Sequence, residues 1–373
     1  MEAIIEVTGS GLIYSNPKPH VYSRHAYFPS VIQLKGRELL ASFSIGQAFE
    51  SADLRTNIAR SVDGGKSWTL EGPICSETID EDASYVSRLS HGADGEVVAF
   101  TIRHNRSRRD EGLVNPANLG FVEVELQLWR SRDGGRTWDG PEVIDPPLVG
   151  PSFEMTSPIL PLQSGGWLLP TSTWRGWDGS CPNGMKAVAF CSFDNGVTWP
   201  VYSDVMKDPL GDKIYWESKI EQMGDGRLVA AAWVYDEKHG CDLPIHYAVG
   251  HLSEEGPVFG AARSTGMQGQ TVCLLAMDEE QLLIVYRRTD QPGLWAALIH
   301  LEGEAWEVQA EAPLWGRPGR LTGDSEDMAH NFAILKFGAP SICRLHDGEL
   351  LVSFWASEDG LSSIRWVRLR IRG

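Results

Sequence analysis

Three acidic residues stand where a carboxyl group has chemistry open to it: Glu154 in PSFEMTSP, Glu217 in YWESKI and Asp53 in FESADLR. Two carboxyl groups flanking one bond are what glycoside hydrolysis requires, one giving a proton and the other acting as nucleophile or base. Burying one carboxyl beside another raises its pKa, so that it keeps a proton near neutrality. The residues around them suit a polyol. Trp174, Trp216 and Trp233 offer apolar faces on which the C–H faces of sugar rings stack. His25 and His104 can move a proton or bond a hydroxyl, and Tyr27, Arg175, Tyr235, Arg287 and Arg288 are further polar candidates. The stretch TIRHNRSRRDEG carries Arg103, Arg106, Arg108 and Arg109, which read either as a solvated loop or as a clamp for an anionic sugar such as a uronate. His330, in GDSEDMAHNFA, could reach the same place.

For distant residues to meet, the chain must be organised, and it is organised by repetition. An octapeptide, Ser-x-Asp-x-Gly-x-Ser/Thr-Trp, occurs as SVDGGKSW at Ser61, SRDGGRTW at Ser131 and SFDNGVTW at Ser192, 70 and 61 residues apart. Its Asp-Gly and Asn-Gly pairs suit tight hairpins. Its Asp and Ser/Thr side chains can bond backbone donors inside the turn. A second repeat is an alternating strand, a turn and an apolar strand. It appears six times, starting at Phe28, Ser84, Thr156, Glu217, Gln270 and Pro340. Period-2 alternation and β-branched residues favour strands throughout, and no convincing amphipathic helix is found.

Each repeat holds about four strands, which predicts an all-β fold: a six-bladed β-propeller of four-stranded antiparallel blades, forming one domain over residues 1–373. The chain ends in a third strand, SSIRWVRLRI, and its start, EAIIEVTGSGLIY, can supply the missing outer strand and close the ring. Two stacked sandwich domains would not produce six copies in one internal order.

The octapeptide resembles the Asp-box of the sialidase superfamily of propellers, with SEEGPVF and LEGEAW similar to degenerate copies. The resemblance spans nearly the whole chain. It implies a site on the face opposite the boxes, made by starts of inner strands, ends of second strands and the loops beyond them. It also implies Asp53 as an acid/base residue on the first loop, and Glu217, in Glu-Ser-Lys-Ile, as its partner opening the fourth inner strand. The sialidase pattern is broken elsewhere. Tyr27-Phe28-Pro29 stands in place of the first arginine motif, Trp233 in place of the second arginine, and Gly338-Ala339-Pro340-Ser341 has no nucleophilic tyrosine. Arg287 and Arg288 lie near the third arginine but out of register. Without that triad a sialic acid carboxylate has no bidentate grip, so ordinary sialidase activity is not expected. The Glu154–Glu217 layout is similar to that of exo-arabinanase propellers.

Composition narrows the field. The 373 residues carry a net charge of −17, which argues against nucleic acid and anionic membrane surfaces as partners. The start lacks the pattern of a signal peptide, and a cytoplasmic protein is expected. The six cysteines have no zinc-like spacing, and no cofactor or metal motif is present. The expected activity is hydrolysis of a terminal sugar from an oligosaccharide, with Glu154 and Glu217 as the pair and Asp53 assisting. Two alternatives stay open: a lyase in which His25 or Tyr235 removes a proton beside a uronate, and a propeller that binds glycan without turnover.

Overall fold

Segments such as VVAFTIRHN (Val97–Asn105), WLLPTST (Trp167–Thr173) and LVAAAWVYD (Leu228–Asp236) are apolar on both faces of the strand. Such strands need cover on both sides, and packing one small sheet face to face with the next supplies it. The structure, a computed structural model, describes residues 3–75, 80–150, 152–155, 157–316 and 335–373. Six antiparallel sheets stand in a ring, and within the first five the strand order follows the chain from inside outward. The first blade shows the pattern, with an inner strand His25–Gln33 followed by Leu39–Gly46, Arg55–Ser61 and Thr69–Pro73. In the sixth blade the N-terminal strand Ile4–Tyr14 pairs with Leu361–Arg372 as the outermost strand, so the expected closure holds. Among the described residues the one helical element is a 3-10 turn at Ala93–Gly95.

Six apolar clusters each bridge two neighbouring blades. Ala41 and Phe43 of the first blade share one with Leu351 and Trp355 of the sixth, which completes the circle. The other five join blades one to two, two to three, three to four, four to five and five to six. Most of the fold's stabilisation must come from these interfaces, because burial of apolar area is the dominant favourable contribution.

The octapeptides fold as their composition predicts. Asp63 accepts from the backbone N–H of Lys66 and of Ser67, both at 3.0 Å, and from the Ser67 hydroxyl at 2.6 Å. Asp133 and Asp194 repeat the pattern. Gly135 has φ +83°, and a Cβ there would sit 2.4 Å from Leu40 of the preceding blade. Glycine is thus required twice over, by the backbone angle and by the blade contact.

Two departures matter for the site. The third inner strand is split into Phe153–Met155 and Leu160–Pro161. Four other inner strands bulge near their starts, with positive φ at Phe28 (56°), Glu217 (51°), Thr271 (32°) and Ala339 (48°). Their pairing slips at the same places. Strained backbone of this kind persists only where the surroundings enforce it. A bulge also re-aims a side chain.

Candidate active site

The strand pairings separate the two ends of the ring. In the second blade Val97 pairs with Ser131, which opens an octapeptide, while His104 pairs with Val124 at the far end. The candidate residues gather at that far end. A cavity of about 830 Å³, counted with its open mouth, is bordered by Phe28, Glu154, Glu217 and Ala339 from inner-strand starts. His104, Trp174, Trp233 and Arg287 border it from second-strand ends. Phe49, Glu50, Leu113 and Phe121 reach it from the loops beyond.

Glu154 and Glu217 meet at its floor. The backbone N–H of Glu217 donates to Oε2 of Glu154 at 2.7 Å. This bond depends on the bulge that gives Glu217 its positive φ. The Thr271 hydroxyl donates to Oε2 of Glu217. Burial first, and the charge of Glu217 second, push the Glu154 carboxyl up to about 8, against the Glu217 N–H and the Lys219 charge. Glu154 therefore holds a proton at neutral pH, a necessity for a general acid. Three cations act on Glu217: Arg88 and Arg287, both buried, and Lys219.

Arg287 is fixed by its partners. Its Nε donates to Gln270 Oε1 and its Nη1 to the Phe337 carbonyl, both at 2.9 Å. Gln270 in turn donates to Asp242, and Trp233 Nε1 donates to Asp242 Oδ1 at 2.6 Å. Trp174 is held by a bond from Nε1 to the Leu119 carbonyl at 2.6 Å, and its ring stacks on Phe121 with centroids 4.9 Å apart. The His104 imidazole is pushed down to about 4, chiefly by burial, and stays neutral.

The other predicted residues are used elsewhere. Asp53 caps its own loop, accepting from the Gln47 N–H at 3.0 Å. Partial burial pushes its carboxyl up, but bonds from Ser51 and Gln47 outweigh that and hold it below its ordinary value. It does not border the cavity and is ill-suited to be the acid. Tyr27 is wedged edge-on against Phe49 and Trp355, each with centroids 5.2 Å away. His25 accepts from the Ser362 N–H at 3.1 Å. Trp216 is core, enclosed by Trp174, Trp233 and Tyr235. Tyr235 stacks on Trp216 and does not border the cavity.

In the arginine-rich stretch two arginines are held in ion pairs, and Arg106 is buried with its Nη2 donating to the Glu111 carbonyl at 2.7 Å. Arg103 pairs with Asp80 and Arg109 with Glu81 and Asp82. Arg108 lies over Trp177 at 4.8 Å. Arg175 forks onto Glu237, and Arg288 pairs with Asp290 and Glu311. His330 and Thr156 lie outside the described residues.

Glu50 and Arg88 are the residues that sequence reasoning passed over. Glu50 shares the loop of Asp53, three positions earlier, and accepts from the Leu113 N–H at 2.9 Å. Arg88 was visible in principle: it is the one charge among Val86, Arg88 and Ser90, alternate positions of an inner strand.

No family model matches the chain, and no curated protein does. Solved structures do. A Dyadobacter fermentans protein of unknown function aligns over 99% of both chains, at 22% identity and TM-score 0.73. The NanB sialidase of Streptococcus pneumoniae aligns over 96% of this chain and 70% of its own, at 11% identity and TM-score 0.65. The Penicillium chrysogenum α-L-arabinanase, solved with arabinobiose, aligns over 98% of both chains, at 16% identity and TM-score 0.63. The fold is thus that of the sialidase and arabinanase propellers.

Proposed function

We propose that this protein is a glycoside hydrolase that removes a terminal sugar, other than sialic acid, from an oligosaccharide. The observation that carries this reading is the Glu154–Glu217 pair bordering an aromatic-walled cavity, with the Glu217 N–H on Glu154 Oε2 at 2.7 Å and the Glu154 carboxyl pushed up by burial and by its neighbour. Glu154 gives its proton to the departing glycosidic oxygen. Glu217 is its partner carboxyl, set against the positive charge that grows on the sugar carbon. Trp174, Trp233 and Phe121 supply faces for the sugar ring, and neutral His104 a hydroxyl partner. Asp53 has no part in the chemistry.

The lyase reading has less support, because neither His25 nor Tyr235 borders the cavity. Sialic acid is disfavoured because Phe28 and Ala339 border the cavity at the two inner-strand starts where a sialidase carries its first arginine and its tyrosine. The test is a panel of nitrophenyl glycosides and short arabino-, xylo- and galacto-oligosaccharides, with a sialoside included. Release of one neutral sugar by the native protein, lost in Glu154→Gln and in Glu217→Gln, supports the proposal. Sugar binding without turnover in all three proteins would make it a glycan-binding propeller. Sialic acid release would overturn the stated exclusion.

A further inference from the structure

One carboxyl group outside the cavity holds two of the side chains that border it. Asp242 lies on the third strand of blade four, Cys241–Ser253, and does not border the cavity. Trp233 and Arg287, on the second strands of blades four and five, do. Oδ1 of Asp242 accepts from the Trp233 indole at 2.6 Å, and Oδ2 accepts from the Gln270 amide. Gln270 passes the link on, because its Oε1 accepts from Arg287 Nε at 2.9 Å. Gln270 and Arg287 are register partners in blade five, so the chain of bonds crosses between the blades once, from Asp242 to Gln270. Trp233 stands where the second strand of blade four loses its pairing with the third. An irregularity of that kind re-aims a side chain, and the bond to Asp242 fixes where the indole comes to rest.

The chain of bonds has one direction. A guanidinium can only donate, and both oxygens of Asp242 accept, as those of an ionised carboxylate do. The amide between them must therefore turn its oxygen to Arg287 and its NH2 to Asp242. Arg287 is 2% exposed, and its Nη1 is taken by the Phe337 carbonyl. A cation at that depth depends on its partners, and both Glu217 and Asp242 act on it. Asp242→Asn would offer one acceptor to two donors. With its oxygen on the indole, its NH2 would meet the NH2 of Gln270. The Gln270 amide could relieve that contact only by turning over, which would leave Arg287 Nε facing another N–H.

We propose that Asp242 is a positioning residue: through Trp233 directly, and through Gln270 onto Arg287, it sets an aromatic face and a cation on the cavity wall for binding a sugar, without touching the sugar. This role rests on the hydrolase reading of the cavity and adds a residue outside the cavity on which its affinity depends.

The test is a swap of polarity. With the nitrophenyl glycoside that the native protein cleaves, Asp242→Asn should raise KM about tenfold or more and change kcat far less. The decline in rate as Glu154 loses its proton should stay in place. Asp242→Asn combined with Gln270→Glu restores the charge and the direction of every bond, and should return KM to within about threefold of native. A side chain that only filled space would not be rescued in this way. Exchange of the Arg287 Nε–H, read in 15N-labelled protein and assigned with Arg287→Lys, needs no turnover. It should be slow in the native protein and the double variant, and at least about tenfold faster in Asp242→Asn. KM and exchange unmoved by Asp242→Asn overturn the proposal, as does a folded double variant as impaired as the single one. If Asp242→Asn does not fold, the double variant decides, by native-like KM and exchange or by their loss. If the native protein cleaves no glycoside, the hydrolase reading falls, and the exchange series decides alone whether Asp242 holds Arg287.

Discussion

The main-chain N–H of Glu217 donates to Oε2 of Glu154 across 2.7 Å, so one residue both orients its partner and sets part of its proton affinity. The bond joins the split inner strand of blade three to the bulged one of blade four. The first prediction comes from the proton it helps to hold. Turnover that needs protonated Glu154 declines as pH rises through about 8. Glu154→Gln should lower kcat/KM by roughly 10² to 10⁴-fold and flatten the alkaline limb. A pH–rate profile on an activated aryl glycoside checks this. A native profile level through pH 8 to 9 would assign the proton elsewhere.

The second concerns stability. Glu154 has a folded pKa of about 8, raised from 4.5, so between those values the native state binds more protons than the unfolded chain. Stability from this group is complete below about pH 4.5 and is lost as pH climbs to 8. Lys219, lowered from 10.5 to about 8, acts in the opposite sense above that window. At pH 8 Glu154→Gln should be more stable than the native protein by at least about 1 kcal/mol, and at pH 4.5 close to equal. Urea titrations at the two pH values measure the difference.

Glu50 governs a third. Burial pushes its carboxyl up, against the Leu113 N–H and the charge of Arg106. A Cβ on Gly112 would come within 2.4 Å of its Oε2, so the loop is built around this carboxyl. Glu50→Ala leaves a buried N–H unpaired and should cost about 1–3 kcal/mol. Limited proteolysis should then cut within residues 106–120 faster than in the native protein, with Glu50→Gln intermediate.

A fourth concerns the octapeptide turns. Bonds from the Ser67 side chain and backbone, opposed by slight burial, hold the Asp63 carboxyl down to about 2. Its stabilising effect is present above about pH 3.8 and disappears as pH falls through 2. Asp63→Ala should lower the unfolding midpoint at pH 7 by a few degrees, for a loss of about 1 kcal/mol. At pH 2 the variant and native midpoints should converge.

The candidate site was partly legible beforehand. Glu154, Glu217, Trp174, Trp233, His104 and Arg287 all reach the cavity, because a repeat that reveals strand ends also reveals which ends share a face. Asp53 was chosen where Glu50 is the residue that borders the cavity. Both are acids on one loop, and which of them turns inward depends on the Leu113 N–H of the next blade, 63 positions away. Arg103, Arg175 and Arg288 looked available as isolated charges, but each meets a carboxylate in the folded chain.

By itself the sequence determined the blade count, the ring closure and the six-fold order, since all three follow from local turn chemistry and hydrophobic period repeated along the chain. Tertiary structure alone decided which acids are buried together, which arginines are neutralised and where the inner strands bulge. Those outcomes depend on distances between groups from different blades, and proton affinity responds to burial and neighbouring charge in space. Spacing along the chain carries no record of either.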